Sequence, residues 1–278
     1  MMRRSTLFHS TGIYLGLTAF VFLTCAPLVW MIVTSLLPQR TLITVPLHIG
    51  WSDFTFSNYT NVILSAHQLY VGLGNSFIIS LSTTALAVVL GAPAAYALAR
   101  LRVRGSGAIM LMVLTAQMFP AVVIVIPLFV AAARLGLIDT KLNLILVYLS
   151  FNLPVVIWVL RGFFLGLPEG LERAARVDGA SVLQTFWYII LPVSLPALSA
   201  AAIFAFIEAW NEFFLALIMT RQESVTVPLV ISAFAGQYRT LFGEMMASAV
   251  ISISPVILMT IMLRNLIIRG FADGLLKG

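Results

Sequence analysis

Six stretches of this chain run for 19 residues or more with almost no charge, and they limit what it can fold into: 13–37, 73–99, 108–133, 142–160, 198–219 and 245–263. Nineteen residues extend about 29 Å as helix, enough for a hydrocarbon core of ~30 Å. The reading is therefore an all-α integral membrane protein with six transmembrane helices, forming a single transmembrane domain over 1–278. Composition agrees. Only 9% of residues are charged and mean hydropathy is +1.05, whereas soluble domains carry about 25% charged residues. The net charge of +6 does not point to nucleic acid. The cations are scattered over short loops, with no basic face or interleaved aromatics to follow phosphates.

Eleven of the 16 basic residues fall on one side of these spans: Arg3, Arg4, Arg100, Arg102, Arg104, Arg161, Arg173, Arg176, Arg264, Arg269 and Lys277. Excess arginine and lysine mark cytoplasmic loops, which predicts cytoplasmic termini. Met1 to Arg4 before an apolar run resembles a secretory signal. The run continues to about Leu37, beyond the ~7–15 residues of a signal core, and reads as a retained first span. Cys25 stands alone, and His9, His48 and His67 lack metal-ligand spacing, so no metal site is expected. Pro120, Pro127, Pro154 and Pro255 interrupt spans and predict kinks, which line pathways or serve packing.

The informative stretch lies between the fourth and fifth spans, at about 166–195. Pro168 and Glu169 suit a helix start. Leu171, Ala174, Ala175 and Asp178 repeat at helical spacing and are predicted to share one face. Gly179 supplies a bend, Ser181 with Gln184 suits a capping box, and Leu191-Pro192 ends the second helix. An arginine-free, apolar second helix tied to spans at both ends does not fit DNA reading. A hairpin lying on the bilayer and a docking element for a cytoplasmic protein both remain.

In register, Ala174, Ala175, Asp178, Gly179, Ala180, Ile189, Leu191 and Pro192 resemble the coupling loop of bacterial ATP-binding-cassette (ABC) importer permeases, carbohydrate branch. That loop reads Glu-Ala-Ala, three residues, Gly, and later Leu-Pro. Its glutamate falls on Arg173, with Glu172 one residue earlier, which leaves that glutamate's ATPase contact open here but not the fold of the loop. Further similarity lies in Asn75-Ser76, Met118-Phe119-Pro120, Leu135 to Thr140, Leu153-Pro154, Trp210 to Phe213, and the tail Arg269-Gly270 through Leu276-Lys277-Gly278. The six-helix subunit of the maltose-type importer is the best comparison.

The resemblance implies a type I ABC importer permease fold in the bacterial inner membrane. It implies a second homologous permease, two ATP-binding subunits seated on the coupling loops, and an extracytoplasmic solute-binding protein. ATP and Mg would be bound by the partner ATPase, with no cofactor in this chain. Consistently, neither Lys141 nor Lys277 sits in a phosphate-cradling Gly-rich loop, and no nucleophile–base constellation marks an enzyme. Mono-, di- or oligosaccharides are the expected solutes, with glycerol phosphate-type polyols next. For binding-protein contact, Pro38 to Tyr70 offers Trp51, Phe54, Phe56 and Tyr59, and the loop from Arg221 to Leu241 offers Gly236, Gln237 and Tyr238. Glu208, Asn211 and Glu212 are predicted to share one helical turn, facing the translocation pathway or another subunit. Glu208 and Glu212 also support an alternative, an ion-coupled secondary carrier.

Overall fold

A computed structural model describes residues 2–65, 67–101, 103–236 and 240–275, with side chains over 13–64, 68–101, 103–236 and 240–262. Arg102, Gln237, Tyr238 and the tail from Leu276 to Gly278 lie outside the described residues. Among those described the helices are α1 (Met2–Ser35), α2 (Ser57–Ser65), α3 (His67–Arg100), α4 (Ser106–Ala116), α5 (Ala121–Arg134) and α6 (Lys141–Gly166). There follow α7 (Gly170–Val177), α8 (Val182–Val193), α9 (Leu195–Asn211), α10 (Phe214–Met219), α11 (Val227–Ala233) and α12 (Phe242–Leu275). Stretches within α1, α3, α6 and α12 are each long and apolar enough to cross a bilayer. The number rises to six if α4 with α5, and α8 with α9, each count as one bent span.

Two of the expected spans are not continuous helices. The third, expected over 108–133, breaks into α4 and α5 with a 90° bend. Pro120 explains the break: it sits at ψ 131° as the cap before α5, and proline disfavours helix in the residue preceding it. At roughly 16 Å and 21 Å, neither half reaches across alone. The fifth, expected over 198–219, divides into α9 and α10 at Glu212, whose backbone is extended at ψ 121°.

The chain forms two compact units. One joins Met1–Leu69 to Ile231–Ser254. Within it, the buried Asn58 amide donates to the carbonyls of Ser35 and Leu37, each at 2.8 Å. The first of these is an acceptor that the end of α1 leaves without an intrahelical partner, and the second lies in the turn that follows it. A side chain at Gly243 would place its Cβ 2.5 Å from Asn58 Nδ2, so glycine lets α12 begin against this amide. From Ile13 to Trp30 the apolar side chains of α1 face mostly outward, Phe20 67% and Phe22 72% exposed, a surface suited to lipid.

The other unit comprises Tyr70–Val230 and Pro255–Gly278. One of its apolar clusters gathers Ala95 and Tyr96 of α3, Leu160 and Phe164 of α6, Phe186 and Ile190 of α8, and Ala201 and Ala205 of α9. Small alanines let these helix backbones approach closely. A second cluster joins Ile79, Val125, Leu144, Tyr148, Leu215 and Met219.

Candidate functional site

The hairpin α7–α8 is built from its caps. Gly179 adopts φ +80°, which a β-branched residue resists. The Gly179 N–H donates to the Arg176 carbonyl at 3.1 Å and the Ala180 N–H to the Ala175 carbonyl at 2.9 Å. This paired closure is a Schellman motif, and it consumes the last carbonyls of α7. Ser181 then opens α8 with a reciprocal box: its N–H donates to Gln184 Oε1 at 2.8 Å, and its Oγ accepts the Gln184 N–H at 3.3 Å. The glycine bend and the capping box expected from the sequence are both present. The second helix continues beyond Leu191-Pro192, through Val193, and turns 76° into α9. Pro192 lies in the last turn of that helix, where it removes one backbone donor just ahead of the bend.

The expected alanine face needs correction. Ala175 is buried within the chain itself, at 3% exposure, while Ala174 and Asp178 face outward. At about 100° per residue, the inward stripe is Leu171, Glu172 and Ala175, leaving Arg173, Ala174, Arg176 and Val177 outside.

Glu172 points inward to an ion pair. Arg100, the last residue of α3, donates from Nε to Glu172 Oε1 at 3.0 Å and from Nη2 to the Leu167 carbonyl at 2.8 Å. The two side chains are only 9% and 14% exposed. Beside them Tyr96 packs its ring 5.8 Å from Phe164 and 5.1 Å from Phe186. The hairpin is thus fastened to α3 twice, ionically at α7 and by aromatic contact at α8. Arg173, at the motif-glutamate position, faces solvent and pairs with Glu169 one turn earlier.

A second polar region lies where α9 ends. Glu208 and Asn211 are in its last turn, but Glu212 leaves the helix, so the expected three-residue turn does not form. The Glu212 carboxylate instead accepts the N–H groups of Leu215 at 2.9 Å and Ala216 at 3.2 Å, capping α10. Next to it is a cavity of about 310 Å³ bordered by Gln117, Tyr148, Asn152, Glu208 and Glu212, with Phe151 and Phe204 among its apolar walls.

The loop before α6 holds a third arrangement. Asp139, at φ +62°, receives the backbone N–H groups of Arg221, Gln222, Glu223 and Ser224 at 2.9–3.1 Å, and the Ser224 hydroxyl at 3.0 Å. Burial alone pushes its carboxyl upward, but these four backbone donors together outweigh it and hold the group well below the usual carboxylate range. From the other side Asn75 donates to the carbonyls of Glu223 and Val225, each at 2.9 Å, and Ser76 Oγ accepts the Val227 N–H at 2.9 Å. Gly236 is exposed beside the short antiparallel bridge of Ala235 with Thr240. Sequence reasoning gave no role to Gln117, Tyr148 or Asn152, and used Arg100 only as a mark of the cytoplasmic side. One usable signal existed for Arg100, a basic residue closing a span near the acidic residues of the hairpin.

Residues 87–272 match the family described as binding-protein-dependent transport system inner membrane component. The trehalose transport system permease protein of Mycobacterium tuberculosis is 38% identical over 91% of this chain and 92% of its own length. The trehalose/maltose transport system permease protein of Thermococcus litoralis is 36% identical over 91% of each. The fold is that of a chain in the crystal structure of a bacterial ABC transporter that imports the acidic polysaccharide alginate, with TM-score 0.75. That likeness covers 95% of this chain and 97% of the other at 23% identity.

Proposed function

This chain belongs to the family of inner membrane components of binding-protein-dependent transport systems, and from that premise we propose that it is the permease through which a sugar or sugar-like solute enters the cell. The saccharide class is supported by the relatives that carry trehalose and maltose. The chain is a multi-pass inner-membrane protein of an ABC importer. The family gives no support to the ion-coupled carrier, and Glu212, one of the two carboxylates that suggested it, is engaged in capping α10.

In this proposal α7–α8 is the element on which a separate ATPase sits, and that subunit binds ATP and Mg. The observation that carries it is the two-sidedness of the hairpin. Glu172 and Ala175 bind it to the chain's own helices, while Arg173, Ala174, Arg176, Val177, Asp178 and Gly179 are turned outward. Val177 is 87% exposed and Leu183 68%, apolar surface suited to a protein partner. Ala180, Leu191 and Pro192 shape the hairpin and its exit into α9. The full assembly pairs this chain with a second permease and two ATPases, with the termini and the loop at Arg100–Arg104 on the cytoplasmic side. A solute-binding protein docks outside, where Trp51 is 94% and Phe56 72% exposed. The loop carrying Gly236, Gln237 and Tyr238 is a second candidate contact for it.

Co-purification of the ATPase with wild type and with Gly179→Val tests the proposal. Expected is membrane insertion of both, with the ATPase and solute-stimulated hydrolysis lost from the variant. Equal recovery with full transport would place the coupling element elsewhere.

A further inference from the structure

Of the polar clusters in the second unit, the hairpin ion pair and the Asp139 clamp are internally satisfied, whereas the cavity at the end of α9 is not. We propose that this cavity is a solute subsite contributed by this chain, selective for a neutral polyhydroxylated solute over an anionic one. The inference rests on the importer reading and deepens it.

Three observations carry it. First, two helix interruptions open onto the same space. Gln117 and Ala121 flank the 90° break between α4 and α5, and Glu212 marks the break between α9 and α10. At membrane depth, non-helical backbone is tolerated only inside protein or along a water-filled cavity. Interrupted helices meeting at one cavity are how membrane carriers build solute sites.

Second, the lining has unspent polar capacity. Tyr148 is 1% exposed, and its hydroxyl lies against the Glu212 carboxylate without a hydrogen bond of ordinary geometry. A buried hydroxyl in that state calls for a partner, and the cavity is where one fits. Glu208 adds a carboxylate, and the amides of Gln117 and Asn152, each already donating once to a backbone carbonyl (Phe151 and Tyr148), keep a second N–H and an acceptor oxygen. A sugar hydroxyl also both donates and accepts, and such groups arranged about one small space suit several hydroxyls. At about 310 Å³ the cavity is at the small end of the ~300–1,000 Å³ range of small-molecule pockets, which favours one compact solute.

Third, charge decides the class. Among the described residues the lining includes two carboxylates, Glu208 and Glu212, and no arginine or lysine. A phosphate or uronate would meet like charge in a site of reduced dielectric. The glycerol phosphate-type polyols admitted by the sequence are therefore excluded from this subsite.

The test uses the whole transporter in membranes, with Val155→Cys in a Cys25→Ser background, since Val155 lines the cavity without a polar role. A small water-soluble thiol reagent reports access. Trehalose, maltose, glucose and glycerol are the neutral probes; sodium glucuronate and glycerol 3-phosphate, at matched ionic strength, are the anionic ones. Expected is labelling that at least one neutral probe slows, that neither anion slows, and whose half-protection concentration rises about tenfold with Glu208→Gln. Ala121→Cys repeats the measurement should Val155→Cys fail to assemble. Labelling unaffected by every neutral probe would overturn the subsite while leaving the cavity on the pathway. Equal protection by glucuronate would overturn the charge selectivity. No labelling at either position would remove the cavity from the pathway altogether, and loss of ATPase docking in Gly179→Val would still stand as support for the importer reading.

Discussion

Two bends in this molecule solve the same problem with opposite materials. Between α7 and α8 the chain turns at Gly179, with backbone closure behind it and a Ser181–Gln184 box ahead. Between α9 and α10 it turns at Glu212, a good helix former, whose own carboxylate takes up the N–H groups that the turn exposes. The first bend is exposed and depends on what its backbone can adopt. The second borders a cavity and depends on a charge. An exposed hairpin can leave its remaining polar groups to water. An embedded break cannot, so it must carry its acceptor with it.

Breaking the anchor of the first bend should have the largest effect. Glu172→Ala leaves the Arg100 guanidinium nearly buried without its carboxylate, at a cost of roughly 3–5 kcal/mol. Protease sensitivity of the hairpin and loss of transport are the readouts. The exchange Arg100→Glu with Glu172→Arg should recover part of both, and no recovery would mean that the pair is not the anchor. Asp139→Ala comes next. It deprives four backbone donors of a charged acceptor, and about 2–3 kcal/mol is expected in the thermal unfolding of the purified complex. The sign of its pH dependence is fixed. A carboxyl held below its unfolded value of about 3.9 stabilises fully above that pH and loses its contribution only as pH falls through the lower folded value. Wild type and Asp139→Ala should therefore differ by the same amount at pH 7 and pH 5; a difference that shrinks toward pH 5 would refute the clamp.

The bends themselves give smaller effects. Gly179→Asn should cost less than Gly179→Val, since asparagine tolerates left-handed backbone, and ATPase recovery should rank accordingly. Glu212→Gln keeps an acceptor for α10 but removes the charge, about 1 kcal/mol of capping. If Glu212→Gln leaves assembly and the thermal unfolding of the complex at the wild-type level, the second bend does not depend on its charge and the contrast with the backbone-built bend fails.

The sequence disclosed the first bend and concealed the second for a physical reason. Gly179 and Ser181-x-x-Gln184 are residue types whose local preferences select a turn and a cap wherever they occur. Glu208, Asn211 and Glu212 have spacing that fits a continuous helix, and only the neighbouring packing decides that α9 stops at Asn211. Pro120 announced an interruption but no angle, and the 90° turn is set by how α4 and α5 pack. Ala175 has no polar mark to say which face it takes, and the Arg100–Glu172 pair joins positions 72 residues apart. The cavity draws Gln117, Tyr148 and Asn152 from separate helices, so no local pattern could assemble it.

Asp139 grips its loop by main-chain amides, and that grip is blind to what the loop displays. Arg221, Gln222 and Glu223 are held through groups common to every non-proline residue, while their side chains stay exposed. Those three positions can change identity, charge and size without loosening their own attachment. The molecule thus keeps a small patch open to evolutionary retuning, on a support that retuning does not disturb.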